Sequence, residues 1–272
     1  MNNIVLITGA SAGIGRAAAE LLLKNGDTVY AGARRVERMK DLETLGAKIL
    51  ALDVTEDASL RNAVDAVLKA EGRLDALINN AGYGAHGAVE DVPMEEARRQ
   101  FDVNVFGLAR LTQLVLPHMR AAGRGTIINI SSIAGKMTMP TGGWYHASKH
   151  AVEAYSDALR LEVAQFGIKV VIIEPGPIKT EWDNTALVNL QKYSGAGAYG
   201  PMVKRITEKF RSSYRSGAPG PEVVARVILK ALNSCCPAAR YTVPFQASVM
   251  LFIKWLLPDR VLDFAIRRIL KA

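Results

Sequence analysis

From residue 4 to about residue 174, short and nearly unbroken Val/Ile/Leu runs alternate with longer amphipathic stretches, and few folds accommodate that alternation. The runs fall at 4–8, 28–33, 48–52, 76–79, 125–131 and 169–174. Helical periodicity lies between them, near 14–25, 36–45, 57–71, 94–122 and 143–166. Strands apolar on both faces belong to a sheet covered on both sides. Strand–helix alternation implies parallel pairing through right-handed crossovers.

The expectation is an α/β chain with a doubly wound, mostly parallel, seven-stranded Rossmann-type sheet, its last strand near 240–243. Ligands of such sheets bind outside the carboxyl ends of the strands, where strand order reverses. Thr8-Gly9, Arg34, Asp53, Asn80-Ala81-Gly82, Ser132 and Pro175-Gly176 each follow a strand. Separate stretches of chain thus converge on one edge, which argues for one site.

Thr8-Gly9-Ala10-Ser11-Ala12-Gly13-Ile14-Gly15 closes the first strand and opens the first helix. Glycines allow the tight turn and a close backbone approach to a pyrophosphate, while the helix N-terminus offers free N–H groups. Gly9, Ser11, Gly13, Ile14 and Gly15 are therefore candidate cofactor contacts. An NAD site usually places an acid at the end of the second strand for the ribose 2′-hydroxyl. Here Ala33 holds that place and Arg34 follows, a guanidinium suited to a 2′-phosphate. NADP(H) is expected ahead of NAD(H). Arg35 either shares that role or sits in solvent, and Asp53-Val54 either borders the adenine or, for Asp53, caps a helix.

Tyr145-His146-Ala147-Ser148-Lys149 puts a phenol and an ammonium one turn apart on one helix face. A phenol with a pKa near ~10 handles protons at neutrality only if its anion is stabilised. Lys149 is placed to do so.

The 272 residues, 49% hydrophobic, suffice for one large core, and no linker or low-complexity block divides them. One domain spanning 1–272 is expected, with no secretory leader and a cytoplasmic setting. The apolar run 247–257 is interrupted by Lys254 and is too short to span a bilayer. Adjacent Cys235 and Cys236 suit neither a disulfide framework nor zinc, and are expected to be buried or half-buried thiols. His86 and His118 lack partners at metal-ligand spacing, so no metal is expected. Residues 1–199 carry 21 Lys/Arg against 22 Asp/Glu, whereas 200–272 carry 13 against 4. The basic excess belongs to the C-terminal quarter. No aromatic-interleaved basic motif supports nucleic-acid binding, which leaves an anionic substrate group, an anionic membrane surface or a solvated face.

Together Thr8–Gly15, Asn79-Asn80-Ala81-Gly82, Asn104, Ser132, Tyr145-x-x-x-Lys149 and Pro175-Gly176-x-x-x-Thr180 resemble the short-chain dehydrogenase/reductase family. The rest of the chain looks similar to the branch acting on hydroxysteroids, retinoids and acylated glycerone phosphates. The resemblance implies that Tyr145 is the general acid/base, that Lys149 holds the nicotinamide ribose, and that Ser132 bonds the reacting oxygen. It further implies that Asn104 holds a relay water, that Thr180 binds the carboxamide, and that Asn80, Ala81 and Gly82 line the middle of the cofactor. It carries the expectation of a homodimer or homotetramer through the helices near 94–122 and 143–166. Each residue alone has a plainer reading: Asn104 bonding a neighbouring carbonyl, Lys149 solvated, His146 at the surface or packing. A dinucleotide-binding regulator without turnover and an NAD-preferring hydroxysteroid-type dehydrogenase are the alternatives.

Pattern dissolves between 178 and 218, which reads as a substrate lid with a flexible hinge at 194–200. Tyr83 to His86, the segment after Ser132 with Met137 and Met139, Trp144, and the lid from Ile178 onward with Trp182 are the expected pocket borders, and they point to a greasy substrate. After a helix near 221–233 comes an apolar and basic tail, 245–272. Its final helix sets Val261, Leu262, Ala265 and Ile269 on one face, and Arg260, Asp263, Arg267 and Lys271 on another. That tail is expected to dock on its own domain, close the site, pair subunits or lie on a membrane.

Overall fold

The computed structural model describes residues 2–215 and 217–271, the side chains at 183, 184, 213–215 and 271 excepted. Seven strands form one sheet in the order β3-β2-β1-β4-β5-β6-β7. They are β1 (Ile4–Thr8), β2 (Thr28–Ala33), β3 (Lys48–Ala51), β4 (Ala76–Asn79), β5 (Gly125–Ile130), β6 (Ile168–Pro175) and β7 (Arg240–Val243). Every neighbouring pair is parallel, including β6 with β7, where Glu174 faces Thr242 in register. Strand order reverses between β1 and β4, so the carboxyl ends of those two strands open the crevice where a ligand binds.

Successive side chains of a strand point to opposite faces, and here both faces are covered. Val5, Ile7, Ala31, Ile78, Ile128 and Val171 pack with Ala18, Ala19 and Leu22 of α1 (Gly13–Lys24) on one side. The short α2 (Lys40–Thr44) covers the outer edge of that face through Leu42. Leu6, Leu77, Ile127 and Val170 face the other way, onto Val64 and Val67 of α3 (Asp57–Glu71). There α4 (Met94–Phe101) runs through a single π turn, Asp102–Phe106, into α5 (Gly107–Ala121), which contributes Leu111, Val115 and Met119. Next to it α6 (Gly143–Val163) contributes Leu159 and Val163. Burying one such Leu or Ile is worth ~2 kcal/mol, so this double covering is what holds the sheet edge, and the site on it, in place.

Between 178 and 218 the structure departs from the expected loop. Two helices occupy it, α7 (Trp182–Ser194) and α8 (Gly200–Arg215). They close a small core of their own around Leu190, Val203 and Ile206. Their apolar residues meet one another rather than the sheet, and glycines separate the two elements, so no long period shows in the sequence. The expected hinge is tied down at both ends. Ala88 N donates to buried Ser194 Oγ at 2.8 Å, and the Tyr199 hydroxyl donates to Glu90 at 2.6 Å.

After α9 (Glu222–Asn233), whose Val224 and Ile228 join the first core, Cys235 and Cys236 are both exposed, contrary to expectation. They fall in the turn before β7, beyond the apolar face of α9. The tail forms α10 (Phe245–Leu256) and α11 (Asp259–Lys271). Leu270 packs against the small core of α7 and α8, yet Val261, Phe264 and Ile269 stay exposed, so α11 docks only in part. The Lys271 side chain lies outside the described residues. No helix among the described residues is long and apolar enough to cross a membrane.

Candidate active site

The glycine-rich turn is held by its neighbours across the crevice. Thr8 Oγ1 accepts from Asn80 N and Ala81 N at 3.0 Å, and Asn80 Nδ2 donates back to Thr8 O at 2.9 Å. Gly9 (φ 71°) and Gly13 (φ 57°) take left-handed conformations open to glycine. A Cβ on Gly9 would stand 2.9 Å from Ala81 Cα, and one on Gly15 would collide with Asn80 Nδ2 and Gly9 O. The turn is thus a cradle whose backbone N–H groups stay bare at the start of α1. Ser11 lies within it, buried, and accepts from Arg35 Nη2 at 3.3 Å.

Arg34 is exposed on the rim beside Arg35. Asp53 accepts from the Thr55 N–H at 3.0 Å and from its hydroxyl at 2.8 Å. It therefore closes a local Asx turn ahead of α3 instead of capping that helix, while Asp53 and Val54 still line the cleft. Opposite, Thr180 reaches across so that a Cβ on Gly13 would lie 3.4 Å from its side chain. Gly176 follows β6 with its N–H donated to Val243 O at 2.7 Å.

Deeper in, Tyr145 and Lys149 lie one turn apart on α6, 8% and 6% exposed. Lys149 Nζ donates to Ile130 O at 2.8 Å and stands 6.0 Å from the centre of the Tyr145 ring. Burial pushes this ammonium down to about 8, partly opposed by Glu153 one turn on. Lys149 is therefore no solvated helix lysine. His146 packs as expected, its Nε2 accepting from Met139 N at 3.1 Å.

Ser132 lies two residues past β5 and accepts from Ala134 N at 3.1 Å while donating to Pro175 O at 3.3 Å, a long bond. Buried Ser131, its neighbour, is packed against the turn that Gly135 completes. Asn104 sits on the π turn, a device common at functional sites. Its Oδ1 accepts from Tyr83 N at 3.1 Å, and its Nδ2 donates to Tyr83 O and Ser148 Oγ, each at 3.0 Å. The neighbouring-carbonyl reading of Asn104 thus describes its present bonds. A Cβ on Gly82 would lie 3.2 Å from Asn104 Oδ1 and 3.7 Å from Lys149 Nζ, so these three positions converge.

One cleft of about 1160 Å³ runs from Gly9, Ser11, Gly13 and Arg34 past Ser132, Tyr145 and Lys149 to Trp182, while Gly15 and the buried Asn104 lie behind its wall. Tyr83, His86, Met137, Met139 and Ile178 line it as expected, whereas Trp144 does not. Phe210 and Ile206 of α8, with Met250, Ile269 and Leu270 of the tail, complete its apolar wall. The lid from Ile178 onward and a tail closing the site were among the expectations, but the sequence did not single out these residues as lining, although the i, i+4 pair Ile206 and Phe210 carried a helical signal. No cluster of metal-ligating side chains occurs among the described residues.

A family model described as short chain dehydrogenase matches residues 3–189. The chain belongs to the short-chain dehydrogenase/reductase family. Members bind a nicotinamide dinucleotide and a small-molecule substrate, and act on CH–OH or C=O groups; this chain is accordingly an oxidoreductase of that family. It is 39% identical to 3-ketodihydrosphingosine reductase of Bacteroides thetaiotaomicron, over 97% of this chain and 96% of that one. To the NADPH-dependent 3-dehydrocapnine reductase of Ornithobacterium rhinotracheale it is 38% identical, over 95% and 94%. The crystal structure of a short-chain dehydrogenase from Streptomyces avermitilis superposes with a TM-score of 0.82 at 35% identity, covering 94% of this chain and 93% of that one. The bare glycine cradle, with its unhindered helix N-terminus and cationic rim, fits the dinucleotide such a family requires.

Proposed function

We propose that this short-chain dehydrogenase/reductase is an NADP(H)-dependent enzyme interconverting an alcohol and its ketone or aldehyde on a hydrophobic, lipid- or steroid-like substrate. One observation carries the reading: a single cleft places the glycine cradle and Arg34 at one end, Ser132, Tyr145 and Lys149 in the middle, and an apolar wall at the other. The names of the two reductases above, each for a keto or dehydro group at position 3, support a lipid ketone.

In reduction, Tyr145 donates its phenolic proton to the carbonyl oxygen, and the Lys149 ammonium stabilises the phenolate left behind. Ser132 turns its hydroxyl from Pro175 O to the reacting oxygen, lowering the cost of charge that develops there. Asn104 fixes the Tyr83 backbone and Ser148 beneath Lys149, and is the entry point for a water that returns the proton from solvent. The bound nicotinamide supplies the hydride. Gly9, Ser11, Gly13, Ile14 and Gly15 would hold its pyrophosphate, Arg34 with Arg35 the 2′-phosphate, and Asp53 with Val54 the adenine border. Asn80, Ala81 and Gly82 would line its centre, with Lys149, Pro175, Gly176 and Thr180 at the nicotinamide end. Helices α7 and α8 act as the lid. A panel of long-chain ketones and alcohols, followed by nicotinamide absorbance with NADPH and with NADH, tests the reading. Turnover favouring NADPH is expected, and dinucleotide binding without turnover of any substrate would point to a regulator instead.

The tail supports a second element, contact with an anionic bilayer from the cytoplasmic side. Phe245 and Trp255 are 79% and 78% exposed, Phe252 and Phe264 are exposed beside them, and Lys254, Arg260, Arg267 and Arg268 share those helices. Aromatic residues beside cations on surface helices are the composition of an interfacial anchor. Pelleting with neutral and anionic vesicles is expected to recover the protein on the anionic ones; failure on both would remove this element. Exposed Phe106 before α5 and Leu161 on α6 favour a homodimer or homotetramer through those helices, testable by light scattering.

A further inference from the structure

At the substrate end of the cleft lie two buried polar atoms that the proposed proton transfer does not use. His86 is 8% exposed and Thr141 5%, and among the described residues His86 Nε2 and Thr141 Oγ1 have no hydrogen-bond partner. Both residues line the cleft together with Tyr145. Backbone contacts hold them side by side. Gly87 N donates to Thr141 O at 2.8 Å, and a Cβ on Gly142 would stand 3.3 Å from His86 Cε1.

Leaving a buried donor or acceptor unmatched costs ~1–3 kcal/mol, so two in one wall call for a reason. Rotation away from the cleft is not open to the imidazole. Its ring lies 5.6 Å from that of Tyr145 at 36°, meets Trp182 edge-on at 5.6 Å, and stands 6.5 Å from Phe210. Thr141 adds strain, since a β-branched residue at φ 67° is unfavourable by ~1–3 kcal/mol. Unmatched polar atoms and backbone strain together mark a wall shaped for a ligand rather than for the apo fold.

Burial, and secondarily His146, pushes the His86 imidazole down to about 4, so near neutrality it is an uncharged donor or acceptor. An uncharged imidazole beside a hydroxyl gains nothing from a bare alkyl chain, but it accepts a hydrogen bond from a hydroxyl or an ammonium. It suits a small group that hydrogen-bonds, and the tilted ring contact with Tyr145 sets that group close to the reacting carbon.

We propose that His86 and Thr141 form a polar subsite for a hydroxyl or amino group on a carbon adjacent to the reacting carbonyl, and so determine specificity. The assignment rests on the oxidoreductase reading above. Three long-chain ketones of equal length test it: one plain, one with an α-hydroxyl and one with an α-amino group, each followed with NADPH. The native enzyme is expected to favour a substituted ketone over the plain one by at least about tenfold in kcat/KM. His86→Phe keeps the ring contact and removes Nε2, and Thr141→Val keeps the shape and removes Oγ1. Each is expected to bring that ratio towards one, mainly through KM, while His86→Gln restores part of it. If His86→Phe fails to fold by its melting curve, Thr141→Val alone decides. A native ratio near one, or a ratio that survives the substitutions, would overturn the subsite and leave the oxidoreductase reading standing. Turnover of none of the three by the native protein would overturn both.

Discussion

Lys149 Nζ stands 6.0 Å from the Tyr145 ring centre, anchored by Ile130 O at 2.8 Å in a site that water hardly reaches. A cation there is costly, which is why its titration falls to about 8. On the reading proposed above, it makes the phenol beside it a stronger acid.

That effect ends as the ammonium loses its proton. Below about 8 Lys149 is charged and the Tyr145 phenolate is stabilised; above it the charge is lost and the phenol becomes a poorer donor. For ketone reduction kcat/KM should therefore fall as pH rises through about 8, up to tenfold per unit. Initial rates with NADPH between pH 6 and 10 measure this limb.

Removing the cation should trade activity for stability. Because the folded state titrates below the ordinary 10.5, the charged form is disfavoured by folding, a cost fully present at pH 7. Lys149→Met should thus abolish turnover yet stabilise the apo protein by ~1–3 kcal/mol at pH 7. The gain should shrink as pH rises from about 8 towards 10.5, where the native lysine is neutral in both states. Denaturant melts at pH 7 and 10 check the sign.

In the proposed function, cofactor choice rests on Arg34 at the rim. Arg34→Asp should raise KM for NADPH by ~10–100-fold, the worth of a charge-assisted bond, with KM for NADH little changed. Indifference of both values to the substitution would move the choice elsewhere.

A buried charge cluster behind the site locks β7 to α6. Arg240 Nε lies 3.0 Å from Glu153 Oε2 and 3.5 Å from Glu174 Oε1, and Arg240 also pairs with Asp157. Burial raises the Glu174 carboxyl, and Glu153 raises it further. Arg240→Met should destabilise the protein by ~3 kcal/mol at pH 7, because two buried carboxylates lose their main counter-charge. A carboxyl raised in the folded state takes up its proton readily as pH falls, so the penalty should narrow towards pH 5. Thermal melts at the two pH values test this.

Much of this could be read from residues in order. Strands such as Ile4–Thr8 and Ala76–Asn79 announce themselves because a sheet covered on both faces needs unbroken apolar runs. The cradle was legible because only glycine serves at Gly9 and Gly15, whose missing side chains make room for Asn80 and Ala81. What stayed hidden depends on contacts between distant segments. Leu190 and Val203 build the lid on each other, and His86 acquires meaning only where Tyr145, Trp182 and Phe210 enclose it. Nor does sequence reveal that Asn104 rides on a π turn, since one extra residue in a helix leaves the surrounding apolar period almost unchanged.

Tyr145→Phe puts the central claim to the most direct trial, since it removes one oxygen and leaves the ring among its neighbours. Single-turnover reduction of a long-chain ketone by NADPH should slow by ~10²–10⁴-fold, while NADPH still binds as judged by its fluorescence. Reduction at the native rate by this variant, with the cofactor bound, would contradict the assignment of Tyr145 as the proton donor.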